Sequence, residues 1–123
     1  MNYFRKKLVL TADISKLESL FNSENVSVRE DIARNKNTPI YLLQVLSKDK
    51  EKSVIFEVVL NSNCTGNILD EIYSDNKDDL MIIRVISFHK NCSNVTLKKI
   101  YLEFPGFRDI IIKNPNWNLG DFQ

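Results

Sequence analysis

The amino-acid sequence predicts an all-α protein, a short α-solenoid of about four two-helix repeats forming one domain over residues 1–123. Three observations predict it. Val28, Ile55 and Ile82 recur at a spacing of 27 residues, and so do Ile32, Val59 and Ile86. Each pair is followed by an Asn-rich break and then by a hydroxyl residue, Thr38, Thr65 or Ser93. Beyond the hydroxyl a second apolar pattern begins. Leu42, Leu69 and Leu97 hold its fourth position, Val45, Ile72 and Ile100 its seventh, and Leu46, Tyr73 and Tyr101 its eighth. Those offsets fall on one stripe of a helix, and a period of roughly 20–50 residues marks stacked repeats.

Taken in order, Tyr3–Leu10 reads as a degenerate first helix. Asp13 then caps a helix carrying Leu17, Leu20 and Phe21 at the same three offsets. First helices of the three clear repeats are expected over Val26–Arg34, Lys52–Asn61 and Asp78–Phe88. They stop at Asn35, at the Asn61/Asn63 pair and near Asn91, because Asn tolerates the backbone that ends a helix. Second helices open on Thr38, Thr65 and Ser93, whose hydroxyls can accept first-turn amides. Pro39 occupies the first helical position, where its missing N–H costs nothing. Phe107–Lys113, followed by Asn114-Pro115-Asn116, is the first half of a further unit. Trp117, Leu119 and Phe122 are expected to fold back over its end.

The rival architecture is a small parallel α/β sheet. Ser53–Leu60, Leu80–Phe88 and Arg108–Lys113 are rich in Val and Ile and, with Lys7–Leu10, could be its strands. Val28–Arg34 occupies the same slot but is polar and helix-spaced, which a buried parallel strand cannot be.

A hydrophobic content of 43% and a charged content of 27% are those of an ordinary globular chain. The net charge of +1 supplies no basic surplus for nucleic acid. No apolar run approaches a secretory or membrane-spanning segment, so no membrane partner is expected. Two cysteines make neither a disulfide framework nor a four-ligand zinc site, and a reducing cytoplasm is the expected location. Four Asn-x-Ser/Thr triplets, at Asn25, Asn63, Asn91 and Asn94, are read as products of capping chemistry in an Asn-rich chain.

The run Val28-Arg29-Glu30-Asp31-Ile32-Ala33-Arg34-Asn35-Lys36-Asn37-Thr38-Pro39-Ile40-Tyr41-Leu42-Leu43 resembles the variant leucine-rich repeat, a relative of HEAT-like solenoids. The match is partial in Val54–Tyr73 and weak in Ile82–Leu102, and Asn114-Pro115-Asn116 echoes it once more. The resemblance implies a right-handed stack of short helices. Some members carry an iron–sulfur cluster on a separate Cys cluster; this chain has none, and no cofactor is carried over.

Candidate chemistry is sparse. His89, the only histidine, reads as a helix-end imidazole, with no second ligand at metal spacing. Cys64 and Cys92 precede two caps in equivalent slots and read as small buried turn residues. No phosphate loop, nucleophile elbow or paired-acid motif is present, so the chain is expected to be a non-enzyme. What remains is surface. The outward fifth, sixth and tenth offsets hold Leu43, Gln44 and Lys48, then Asp70, Glu71 and Asp75, then Lys98, Lys99 and Glu103. The middle of the stack is acidic, and Asp78 and Asp79 extend it. Asp70, Glu71, Asp75, Asp78 and Asp79, with Tyr41 and Gln44 as adjoining contacts, form the expected partner-binding site. Its expected partner is a basic, nuclease-like toxin domain, neutralised as bacterial immunity proteins of contact-dependent inhibition do. Nucleic-acid binding through Arg5, Lys6, Lys7, Lys98 and Lys99 is one alternative, and an assembly scaffold exposing Phe56, Val58 and Val85 is another.

Overall fold

The computed structural model describes residues 13–122, with the side chains of 121 and 122 left out. The expected first helix Tyr3–Leu10 and the basic residues Arg5, Lys6 and Lys7 lie outside that range. The described residues contain eight α-helices, two 3₁₀ turns and no strand, which overturns the α/β alternative. The helices are α1 (Ile14–Leu20), α2 (Val26–Arg34), α3 (Ile40–Leu46), α4 (Lys52–Leu60), α5 (Gly66–Asp75), α6 (Leu80–Phe88), α7 (Asn94–Glu103) and α8 (Arg108–Ile111). The chain divides into two compact units between Cys64 and Thr65.

The first helices are set by their ends. α2, α4 and α6 are each nine residues long, and each stops one residue before Asn35, Asn61 or His89. The same turn follows every time. The Oδ1 of Asn35 accepts from the Asn37 amide at 2.8 Å, and that of Asn61 from the Asn63 amide at 2.9 Å. His89 Nδ1 accepts from the Asn91 amide at 3.0 Å, and Asn114 Oδ1 from the Asn116 amide at 2.9 Å. A side-chain acceptor thus replaces the fifth residue of helix that the chain forgoes. His89 caps its helix as expected, and specifically it stands in for asparagine.

These turns also tie each repeat to the one before it within a unit. In the first unit, Asn61 Nδ2 donates to the carbonyls of Ala33 and Asn35 at 2.9 and 3.1 Å, and Asn63 Nδ2 to Lys36 at 2.8 Å. In the second unit, Asn114 Nδ2 donates to Ser87 and His89 at 3.1 and 3.0 Å. Asn116 Nδ2 donates to Lys90 and Cys92 at 2.7 and 2.8 Å. Asn61 and Asn114 are buried, so these bonds satisfy helix-end carbonyls that water cannot reach.

The turn sets a register one residue off the expected one in the first repeat. Asn61 precedes the cap Thr65 as His89 precedes Ser93, and by that count Asn35 points to Pro39. The cap of α3 is indeed Pro39, with no side-chain hydrogen bond. Thr38 does not cap. It sits in the slot of Cys64 and Cys92, and its Oγ1 donates to the Ile32 carbonyl at 2.6 Å in the interior. Thr65 and Ser93 do cap, accepting from Ile68 and Thr96, and Asp13 caps α1. With the frame moved by one, Leu43, expected outside, is 0% exposed, and Val45, expected in the core, is 53% exposed. Leu42, Leu46, Leu69, Ile72, Tyr73, Leu97 and Ile100 are buried as expected.

In the first unit α2 packs on α4, and the Arg34 guanidinium bridges them by a two-pronged bond to Glu57 at 3.1 and 3.0 Å. In the second unit α6 packs on α5, α7 and α8. Gly66 opens α5 where a Cβ would lie 2.8 Å from the Asn91 carbonyl oxygen, so no larger residue fits without a backbone shift. Trp117 stacks on Tyr101, with ring centres 4.9 Å apart, whereas Leu119 is exposed and does not cover the end.

Two stability outcomes follow. Leu69→Ala should cost about 2–5 kcal/mol in urea unfolding, while Val45→Ala should stay within about 0.5 kcal/mol. Asn61→Ala should cost on the order of 1–3 kcal/mol by orphaning two buried carbonyls. Asn61→Asp, which keeps the turn acceptor and loses the donor, should be no milder; near-wild-type stability of the Asp variant would separate the ladder bonds from stability.

Candidate functional site

The five acidic residues expected to form a site lie in one unit, on α5 and the turn that follows it, but they do not share one role. Asp70 is half-exposed and occupied, its Oδ1 accepting from Thr96 Oγ1 at 2.9 Å and from Lys99 Nζ at 3.1 Å. Asp79 is the N-cap of α6, accepting from the Ile82 amide at 3.1 Å. Both hold the fold together. Glu71, Asp75 and Asp78 are exposed. Glu71 and Asp75 are four residues apart on α5 and therefore stand one above the other on the same face. Asp78 prolongs that row into the turn.

Two lysines of this unit are held by Glu103 and Asp70. Lys77 donates to Glu103 at 2.9 and 3.1 Å while lying over the Tyr73 ring, and Lys99 is held by Asp70. The hydrogen bond from Lys77 holds the Glu103 carboxyl below its usual range. Burial, with Glu103 beside it, pushes the Tyr73 hydroxyl up. Like charges stacked at Glu71 and Asp75 cost the helix a few tenths of a kcal/mol, about what a helical ion pair would contribute.

Tyr41 and Gln44 belong to α3 in the first unit. Tyr41 is exposed, and its hydroxyl pKa is raised chiefly by the hydrogen bond to Glu18. Gln44 is half-buried. Of the scaffold strip Phe56, Val58 and Val85, the two valines are buried, so that strip is not a surface.

Two features escaped the sequence reading. Arg29 is buried against Asp49, its Nε donating at 2.8 Å and its Nη1 reaching the Ser23 carbonyl at 2.7 Å. This pair floors an open concavity of about 750 Å³, walled by Phe21, Val45 and Lys48. The Asp49 bond raises the guanidinium pKa further, so Arg29 stays charged. The second feature is the outer face of α6, where Leu80, Met81, Arg84 and Phe88 are exposed while Ile82, Ile83, Val85 and Ile86 are buried. Their spacing was the available signal.

Chemical equipment is limited among the described residues. No three His, Cys, Asp or Glu side chains are grouped to hold a metal ion, and no helix is long and apolar enough to cross a membrane. Both cysteines are buried and neither forms a disulfide, and burial pushes each thiol up to about 12. Comparison with protein-family models, with curated proteins and with solved structures finds no match.

The thiols give a direct check. A thiol needs its thiolate to react, so at neutral pH Cys64 and Cys92 should react with an aromatic disulfide reagent only as fast as the fold opens. Adding denaturant should bring both to the rate of a free peptide thiol. Rapid labelling of either in buffer would mean that the turn slot is not closed.

Proposed function

We propose that the protein is a non-catalytic binding module, a right-handed stack of helical repeats that neutralises a basic protein partner by masking its positive surface. The reading that fits best is a cytoplasmic immunity protein directed against a toxin domain acting on nucleic acid. The row Glu71, Asp75 and Asp78 carries this proposal: three exposed carboxylates, two of them stacked on one face of α5 and the third in the turn that follows. A nuclease-like toxin needs a positive surface for its substrate, and a complementary acidic row would cover that surface and speed encounter.

The division among the acids changes the decisive variant. Reversing Asp70 would also break its bonds to Thr96 and Lys99, so a loss of binding there would be ambiguous. Glu71→Lys combined with Asp75→Lys reverses two exposed charges and leaves the Asp70 bonds in place. Against the product of the adjoining gene, this double variant should associate about tenfold or more slowly at low salt, with unchanged circular dichroism and a weaker salt dependence. An unchanged association rate, or tight salt-sensitive binding of the wild type to duplex DNA, would remove the acidic row as the site.

A further inference from the structure

The outer face of α6 has no partner within its unit. Met81 is 56% and Phe88 49% exposed, and Leu80 and Arg84 complete the stripe between them. The Arg84 guanidinium lies 5.8 Å from the Phe88 ring centre, so the ring orients it and leaves its donors for a ligand. Beyond Phe88 the surface sinks into a shallow cavity of about 250 Å³ lined by Asp109, Ile110, Lys113 and Pro115. An exposed Phe, Met and Arg together are the residue types enriched at interface centres.

Charge decides what fits. At the Phe88 end stand Arg84 and Lys113 against the single carboxylate Asp109, while the Leu80 end borders Asp78. An occupant must therefore bring apolar side chains for the stripe and carboxylates for its Phe88 end. The described residues contain no strand, so there is no sheet edge for an extended peptide to join. Leu80 to Phe88 spans about 12 Å of helix, which matches two turns of a docked helix. We infer that this face is the docking site for an amphipathic helix of a partner protein, with its apolar side against Leu80, Met81 and Phe88 and its carboxylates at Arg84 and Lys113. This surface adjoins the acidic row at Asp78 and selects the opposite charge at its Phe88 end.

The test uses the whole protein and a helix-stabilised peptide of about 16 residues with Leu and Phe at i, i+3, i+4 and i+7 spacing. In one version glutamates flank the apolar stripe; in its twin, lysines do. By fluorescence anisotropy the glutamate peptide should bind about tenfold or more tighter than the twin. Phe88→Ser and, separately, Met81→Ser should each weaken it about tenfold. Arg84→Glu with Lys113→Glu should reverse the preference between the peptides while leaving circular dichroism unchanged. Glu71→Lys with Asp75→Lys should leave peptide affinity as it was, so failure here and failure of the acidic-row reading are distinguishable. Absence of binding, equal affinity for both peptides, or a preference that survives the charge reversal would overturn the inference. So would self-association of the wild type that Phe88→Ser abolishes, since the occupant would then be a second copy.

Discussion

A helix that ends inside a protein leaves carbonyls that must find donors, and in this chain asparagine side chains supply them. The Oδ1 of one amide shapes its own turn, and the Nδ2 of Asn61 or Asn114 closes the carbonyls of the turn before. Neither half can be dropped cheaply, because the residue is buried and its two ends face different strands of the backbone. Everything else in each repeat is measured from this point: the length of the first helix, the slot that takes Thr38, Cys64 or Cys92, and the residue that opens the second helix.

The exception tests the rule. His89 occupies the same position and meets the first obligation through Nδ1, which must be unprotonated to accept from the Asn91 amide. Its carbonyl receives Asn114 Nδ2 from the following turn, so the ladder step within the second unit is intact. An imidazole therefore serves here as a shaped hydrogen-bond acceptor, and the search for a general base at the only histidine ends in a turn.

Much of this was legible in the sequence, because hydrophobic periodicity and Asn-rich breaks are local signals. α2 was read to the residue, and the core of α5 and α7 came from offsets counted after true caps. The first repeat was misread because threonine has two possible jobs. Thr38 donates inward from the turn, Thr65 accepts at a cap, and only the number of residues after the asparagine tells them apart. That single slip exchanged Leu43 and Val45 between core and surface. The acidic group was legible as composition but not as function, since the demands on Asp70 and Asp79 arise from residues 26 and three positions away.

Repeat length varies in this chain, and the variation is confined. The first helices α2, α4 and α6 keep nine residues, while the second helices grow from seven in α1 and α3 to ten in α5 and α7. A second helix can lengthen by a turn without disturbing the frame, whereas a longer first helix would pull an asparagine off its carbonyls. Asp75 is the last residue of α5 and exists as a helical position only because of that added turn. Added length in a second helix enlarges the exposed face and leaves the asparagine frame where it was.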